Sequence, residues 1–180
     1  MLKKIFQGFM YLIVMVGLGF LIYYFFLQPN PQLIPAKDLD NLSTKSLFAA
    51  KLPDQNNLIQ PISQYQGKII VVNFWATWCP PCREEMPELS ALQKDNAKND
   101  VVVLGIAIDT VELVKEFSLT TPVSYPLLVS EEEGMVLGMD LGNDKGVLPY
   151  TVIIDRQGKV VKTFFGRVNK HLLESTIKNL

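Results

Sequence analysis

The stretch "NFWATWCPPCREEMPEL", residues 73–89, holds both cysteines of the chain, Cys79 and Cys82. It begins inside "KIIVVNFWA", residues 68–76, an apolar run so uniform that it predicts a strand buried on both faces. From Cys82 onward, apolar side chains recur at the spacing of one helical face. The cysteine pair is therefore predicted to lie where a buried strand passes into a helix.

From residue 46 onward, short apolar runs alternate with amphipathic ones. Further strands are predicted in "VVVLGIAID", "PYTVIID" and "KVVKTFFG", and the turn "RQG" separates the last two. "SLFAAKL" and "NLIQPIS", joined by "PDQNN", are interpreted as an N-terminal β-hairpin. Helices are predicted in "VELVKEFSL", "EEEGMVLGMDL" and "NKHLLESTIKNL". This order predicts an α/β fold in which helices flank a central mixed β-sheet, with functional sites at the carboxyl ends of its central strands.

The N-terminal region has a different composition. No charged residue occurs between Lys4 and Lys37, and residues 9–27 form a continuous apolar and aromatic stretch. At about 1.5 Å per residue, these about 19 residues would extend about 28 Å, close to the hydrocarbon thickness of a bilayer. The sequence therefore predicts a cytoplasmic N-terminus at residues 1–8 and a single transmembrane helix at 9–27. A linker at 28–45 and a folded domain at 46–180 follow.

The charges that flank the apolar stretch predict its orientation. Lys3 and Lys4 precede it, whereas Asp38 and Asp40 follow it with Lys37, which favours an N-terminus in the cytoplasm.

The alternative to a transmembrane anchor is a cleaved signal peptide, which has a shorter apolar core and an A-x-A cleavage site. We expect an uncleaved anchor in the inner (cytoplasmic) membrane. The domain would then lie in the periplasm or extracytoplasmic space, where glutathione does not dominate thiol chemistry.

Composition and cysteine count restrict the kind of site. With 17 basic and 18 acidic residues, the chain carries no charge excess that would predict nucleic acid as a partner. A zinc site usually needs four N or S ligands, and this chain offers two cysteines and one histidine, His171, so no metal is expected. A structural disulfide stabilises mainly by closing a long loop, which a C-x-x-C bridge does not do. A redox-active pair is therefore the favoured interpretation.

The predicted helix start gives the two cysteines different roles. If the helix begins near Pro80, the free N–H groups and the helix dipole stabilise a thiolate at Cys79, the more exposed of the pair and the expected nucleophile. Cys82, one turn inside, is expected to resolve the mixed disulfide. Pro80 and Pro81 suit the first turn but remove two possible donors, which leaves the Cys82 amide. A thiol pKa that is only slightly lowered favours a reductant.

These motifs carry a specific resemblance. "VVNFWATWCPPCREEMPEL" followed by "GVLPYTVIIDRQGKVV" resembles the thioredoxin superfamily, and within it the membrane-anchored TlpA/ResA/CcmG-like thiol–disulfide oxidoreductases of bacteria. The likeness covers residues 46–180 and implies a thioredoxin-like (redoxin/TlpA-like) domain with a Cys79–Cys82 disulfide. It also implies that Pro149 is a cis-proline that holds the Leu148 backbone beside the cysteines for a substrate chain to pair with. The other interpretation is a trans proline that opens an edge strand.

The resemblance also assigns expectations around the pair. Trp78 is expected to pack beside Cys79 and shape the substrate surface. Thioredoxin has a buried aspartate where this chain has Asn73, and an amide cannot take a proton from Cys82. Glu85 matches a glutamate that serves near the site in ResA-like members, so we hypothesise that it assists proton transfer at Cys82. The alternative for Glu85 is a solvated first-turn glutamate favoured by the helix dipole.

The resulting hypothesis is an anchored protein-disulfide reductase that acts on exported proteins without a bound cofactor. The resemblance implies that its electrons come from a membrane thiol donor of the DsbD/CcdA type. Cytochrome c maturation reductases of the CcmG kind carry Pro-Glu at the cis-proline, whereas Tyr150 follows Pro149 here. Other interpretations are a disulfide oxidant or isomerase, a non-catalytic peptide-binding module, and a peroxidase, whose sites use a lone activated cysteine.

Overall fold

The computed structural model describes residues 2–22, 39–178 and 180. The chain divides into two compact units, residues 1–33 and 34–180. In the first unit, one helix, α1, covers Leu2–Ile22. Residues 23–27 of the predicted transmembrane segment 9–27, and residues 28–38 of the predicted linker, lie outside the described residues. Among the helices that the structure describes, none has the length and apolarity needed to cross a membrane. The structure does not confirm the predicted span.

The second unit is built on a five-stranded mixed sheet. A two-stranded antiparallel hairpin precedes it, formed by β1 (Lys51–Pro53) and β2 (Ile59–Pro61). The five strands of the sheet are β3 (Ile69–Trp75), β4 (Val101–Ala107), β5 (Leu127–Val129), β6 (Tyr150–Ile154) and β7 (Val160–Phe165). Their order across the sheet is β5-β4-β3-β6-β7. The first three run parallel, whereas β6 and β7 are antiparallel to their neighbours. The predicted central mixed sheet is confirmed.

Helices cover both faces of the sheet. They are α2 (Lys45–Ala49), α3 (Pro80–Asn96), α4 (Val111–Thr120), α5 (Glu132–Asp140) and α6 (Lys170–Ile177). The apolar side chains of α3, α4 and α6 pack on one face, and those of α2 and α5 pack on the other. Because every residue of β3 and β4 is buried, these strands form the centre of the domain, as their uniform apolar runs predict.

One local prediction is wrong, and one strand was not predicted. "SLFAAKL" is predicted as a strand, but its first half belongs to helix α2, which begins one residue before the predicted domain boundary at 46. Leu47 and Ala50 are both buried, and a spacing of three residues places them on one face of a helix but on opposite faces of a strand. In its first strand, the predicted hairpin is therefore confirmed only from Lys51 onward. Strand β5 was not predicted because its three residues are shorter than the apolar runs that identify buried strands.

Candidate active site

The cysteine pair lies at the carboxyl end of β3, where the chain enters α3. Cys79 and Cys82 form a disulfide with their Cα atoms 5.3 Å apart. Pro80 opens the helix, as the sequence predicts, and Pro80 and Pro81 are exposed on its first turn. Pro fits there because its fixed φ suits the helix and its missing N–H would have no intrahelical acceptor. The pair is therefore placed at a helix N-terminus, beside the central strand.

The surroundings of the two sulfur atoms differ. Cys79 is 4 % exposed and Cys82 is fully buried, so Cys79 is the more accessible of the pair. The Cys82 N–H donates to Cys79 Sγ at 3.3 Å. The sequence predicts this donor, because Pro80 and Pro81 have no N–H. The roles of nucleophile for Cys79 and resolving thiol for Cys82 stay predictions that this geometry fits.

Asp109 holds the loop before the cysteines, and sequence reasoning missed it. It lies just beyond β4 and is 6 % exposed. Its Oδ2 accepts from the Thr77 N–H at 2.9 Å and from the Thr77 hydroxyl at 2.6 Å. Charge-assisted hydrogen bonds of this kind are about twice as strong as neutral ones. Asp109 therefore ties the loop to the neighbouring strand. The signal in the sequence was an acidic residue directly after a buried parallel strand.

Glu85 is buried beneath the pair. It follows Cys82 by three residues on the same helical face and has no exposed surface, so the interpretation as a solvated first-turn glutamate is wrong. Its Oε1 accepts from Asn73 Nδ2 at 2.7 Å, and its Oε2 accepts from the Val168 N–H at 2.8 Å. Burial raises the pKa of Glu85 to about 7, although both hydrogen bonds and the Arg167 charge act in the opposite direction. A carboxyl that titrates near neutral pH is suited to proton transfer.

Asn73 connects Glu85 to the neighbouring strand. Its Nδ2 also donates to Thr151 Oγ1 at 3.0 Å, and all three side chains are completely buried. Within the described part of the chain, the Asn73 Oδ1, Trp75 Nε1 and Tyr125 hydroxyl have no hydrogen-bond partner. Burial raises the pKa of Tyr125, with a smaller contribution from Glu85, and so keeps its phenol protonated. A polar cluster thus lies inside the apolar core, under the cysteines.

The segment before β6 lies beside the pair. The Leu148–Pro149 peptide bond is cis, as the resemblance implies, and the Pro149 carbonyl accepts from the Gly166 N–H at 2.9 Å. Leu148 packs against the core cluster that includes both cysteines. It also lines, with Trp78, Met135 and others, a mainly apolar cavity of about 120 Å³. Trp78 is 66 % exposed, so it forms the rim of the site rather than part of the core.

Metal ligation has no support in the described residues, where no group of three or more His, Cys, Asp and Glu side chains is arranged to hold an ion. Among the polar groups near the cysteines, one carboxyl, one amide and one hydroxyl are joined by hydrogen bonds. This arrangement can accept and return a proton beside a dithiol. Together with Cys79, the less deeply buried of the two cysteines, this arrangement fits thiol–disulfide exchange.

Comparison with known proteins agrees with this geometry. Residues 45–163 match the AhpC/TSA family. The thiol-disulfide oxidoreductase ResA of Bacillus thuringiensis (strain Al Hakam) is 25% identical over 179 residues, which cover 99% of this chain and 96% of that protein. The thioredoxin-like protein YneN of Bacillus subtilis (strain 168) is 28% identical over 182 residues, which cover 98% of each chain.

A solved structure shows the same fold. The crystal structure of a thioredoxin-related protein from Neisseria meningitidis serogroup B superposes with a TM-score of 0.64 at 37% identity. The match covers 71% of this chain and 96% of that one. The superposition therefore includes nearly all of that protein, which matches a single domain of this chain.

Proposed function

Because the chain belongs to the AhpC/TSA family and is a TlpA/ResA-like thiol–disulfide oxidoreductase, we propose that Cys79 and Cys82 reduce disulfides in exported proteins. The observation that carries this proposal is the position of the pair: a C-x-x-C at a helix N-terminus with a buried carboxyl, Glu85, three residues further on. A structural disulfide does not need a titratable carboxyl group beside it.

The donors around Cys79 favour the reducing direction. A strong oxidant stabilises its reduced form by lowering the pKa of the attacking thiol. Here Pro80 and Pro81 offer no N–H, and the Cys82 N–H lies 3.3 Å from Cys79 Sγ. We therefore expect a weakly stabilised thiolate, and so a dithiol that gives up its electrons readily.

The proposed reaction moves two electrons and two protons from the dithiol to the substrate. The Cys79 thiolate attacks one sulfur of the substrate disulfide, forming a mixed disulfide and releasing the first substrate thiolate. Ionised Glu85 then takes the proton of the Cys82 thiol. The Cys82 thiolate attacks Cys79 Sγ, closes the Cys79–Cys82 disulfide and releases the second substrate thiolate. The proton on Glu85 and the proton lost by Cys79 before attack balance the two substrate thiols formed.

The substrate surface in this proposal lies between Trp78 and Leu148. An extended substrate chain would pair with the Leu148 backbone, and one of its apolar side chains would enter the cavity that these two residues line with Met135. The polar groups of the site lie beneath the sulfur atoms rather than in this cavity. We expect the apolar contacts to select unfolded or locally open proteins over compact ones.

Tyr150 favours general reduction over a role restricted to cytochrome c maturation. It has no exposed surface, and its hydroxyl donates to the Leu141 carbonyl at 2.7 Å. The residue after Pro149 is therefore part of the core in this chain. Reductases of the CcmG kind carry a glutamate at this position. We propose a broad set of exported disulfide proteins as substrates, with cytochrome c maturation as the narrower alternative.

We further propose that residues 9–27 anchor the chain in the inner membrane, with the domain outside the cytoplasm and a DsbD/CcdA-type thiol donor. The support is the sequence: no charge falls between Lys4 and Lys37, and Lys3 and Lys4 precede the apolar stretch. The test is labelling of intact bacterial cells that hold the chain with a membrane-impermeant maleimide. Labelling of reduced Cys79 supports this location, and labelling only after lysis contradicts it.

Trapping of the mixed disulfide tests the reaction itself. Reduced Cys82→Ser is expected to accumulate a covalent adduct with a disulfide-bonded peptide, because Cys79 attacks and nothing resolves the product. The matched Cys79→Ser variant is expected to accumulate none. Adducts are counted by mass spectrometry after acid quenching. An adduct formed equally by both variants would contradict the assignment of Cys79 as the nucleophile.

The role of Glu85 has its own test. Since Glu85 accepts a proton only when ionised, the resolving rate of the wild-type protein should rise as pH increases through about 7. Glu85→Gln should lack this rise and resolve about 10²–10⁴-fold more slowly above it, the usual range for a lost general base. Equal rates and equal pH profiles in the two proteins would remove Glu85 from the mechanism.

A further inference from the structure

Asn143 lies in the loop between α5 and β6, and each of its polar groups bonds to a nearby residue. The side chain is buried, with 4 % of the residue exposed. Its Nδ2 donates to the Val147 carbonyl at 2.9 Å, and its Oδ1 accepts from the Val147 N–H at 2.9 Å. Its own N–H donates to the Gly138 carbonyl at 2.8 Å, and its carbonyl accepts from the Gly146 N–H at 3.0 Å. The loop before the cis-proline is therefore built around one asparagine.

The two bonds from the Asn143 amide have the pattern of a strand pair. In antiparallel strands, a hydrogen-bonded pair exchanges two bonds through the N–H and carbonyl of one residue, and the next residue along bonds to the other side. The amide takes the place of the partner strand for Val147. Such an arrangement directs the N–H and carbonyl of Leu148, the next residue, away from Asn143.

Leu148 is open where its neighbours are closed. No hydrogen bond among the described residues uses its N–H or its carbonyl. The N–H groups of Gly146 and Val147 both donate to Asn143, and Pro149 has no N–H. Gly146 also has a φ of +60°, which ends any extended backbone at that residue. Between residues 146 and 149 of the described chain, Leu148 is therefore the one residue whose N–H is free for a substrate.

We propose that Asn143 is a positioning residue for the substrate: its amide holds Val147 so that Leu148 presents its N–H and carbonyl to a single residue of an extended substrate chain. This inference rests on the proposed function, in which the substrate pairs with the Leu148 backbone. It adds the residue that orients this backbone and the length of the pairing. Two backbone hydrogen bonds to one residue suit a broad set of substrates, because every residue except proline offers the same two groups.

The chemistry of the amide gives a reason for an asparagine at this position. An amide carries a donor and an acceptor side by side, which the N–H and carbonyl of Val147 both require. An aspartate would keep the acceptor for the Val147 N–H but would place a second acceptor against the Val147 carbonyl. An alanine would remove both bonds. These two substitutions therefore weaken the hold on Val147 to different degrees.

Two substrates that differ in their backbone test this role. The reduced full chain is mixed with a disulfide-bonded peptide or with hydroxyethyl disulfide, which has no peptide backbone, and the second-order rate constant is measured for each. Asn143→Ala should lower the rate constant for the peptide by about 5–100-fold, the range for two lost hydrogen bonds. The rate constant for hydroxyethyl disulfide should change less than about twofold. Equal losses for both substrates, or no loss for the peptide, would overturn the proposal.

Two further variants separate positioning from loop stability. Asn143→Asp, which keeps the shape and one of the two bonds, should give a peptide rate constant between those of the wild type and Asn143→Ala. Tyr150→Phe removes a buried bond of 2.7 Å to the Leu141 carbonyl, at the other end of the same loop. It should lower the free energy of unfolding in urea and leave the peptide rate constant unchanged. If Tyr150→Phe slows the peptide reaction as much as Asn143→Ala does, the proposal is wrong.

Peptides that are N-methylated at one position at a time test the length of the pairing. Loss of the substrate N–H that donates to Leu148 should slow the wild-type protein several fold at one position, and Asn143→Ala should be much less sensitive there. Slowing at no position, or at two positions two residues apart, would overturn the single-residue pairing. A wild-type protein that reduces hydroxyethyl disulfide while Asn143→Ala shows no peptide-specific loss contradicts this inference alone. Reduction of neither substrate contradicts the proposed function as well.

Discussion

Replacing Glu85 with Gln should change how the stability of the oxidised protein depends on pH. Burial raises the pKa of Glu85 from its ordinary 4.5 to about 7 in the folded chain. A raised folded-state pKa means that the folded protein binds the proton more tightly than the unfolded chain. The resulting contribution to stability is fully present below about pH 4.5 and is lost as pH rises through about 7.

The size of the effect follows from the same shift. Each pKa unit corresponds to about 1.4 kcal/mol, so the full difference between 4.5 and about 7 is of the order of 3 kcal/mol. Most of it falls between about pH 5 and about pH 8, where linkage gives a loss of about 2.5 kcal/mol from this group. In Glu85→Gln the side chain is neutral at every pH, so this part of the pH dependence should disappear.

Urea unfolding of the oxidised full chain at a series of pH values measures this, with tryptophan fluorescence as the signal. Glu84→Gln is the matched control, because it removes the same charge one position earlier on the same helix, from a side chain that is 59% exposed. The control should keep the wild-type slope. If Glu85→Gln also keeps it, Glu85 is ionised at neutral pH without penalty, and the account of a proton acceptor held near pH 7 is wrong.

Other substitutions give further expected outcomes. Gly105→Ala places a Cβ 2.7 Å from Leu127 Cδ2, and should cost about 1–3 kcal/mol of unfolding free energy. Gly138→Ala, whose Cβ meets nothing closer than 3.7 Å inside α5, should be neutral or stabilise the protein by about 0.5–1 kcal/mol. Equal effects of Gly105→Ala and Gly138→Ala on urea unfolding would contradict both expectations. Asp109→Ala leaves the Thr77 N–H and hydroxyl without their acceptor. It should slow disulfide exchange and lower the free energy of unfolding by about 1–3 kcal/mol. If the exchange rate and the free energy of unfolding are both unchanged, the loop does not need these hydrogen bonds. Met135→Ala, at the cavity beside Trp78, should raise KM several fold for peptides with an apolar residue next to the disulfide and leave kcat unchanged; an unchanged KM would place the substrate elsewhere.

The sequence was most informative where pattern and chemistry coincide. Uniform apolar runs identified the central strands β3 and β4, because strands covered by helices on both faces carry no polar alternation. The C-x-x-C with its prolines identified the helix start at Pro80, and the remaining Cys82 donor followed from the missing N–H groups. These features depend on residues that are close together in the chain.

The surroundings of Glu85 could not be predicted in this way. A glutamate in the first turns of a helix is usually solvated, and nothing nearby in the sequence shows that this one is buried. Its partner Val168 is 83 residues away, and Asn73 meets Thr151 across 78 residues. Strand β5 was missed for a different reason, since its three residues are too few to show a periodic pattern.

The reduction potential of the Cys79–Cys82 pair tests the central claim most directly. It is measured by equilibrating the full chain with a glutathione or dithiothreitol series and counting free thiols after alkylation. We predict a value near or below about −250 mV, toward the thioredoxin end of the scale, because Pro80 and Pro81 offer Cys79 Sγ no N–H and the Cys82 N–H is the donor that remains. A value near about −120 mV, typical of a strong oxidant, would contradict the reductant and reverse the direction of electron flow.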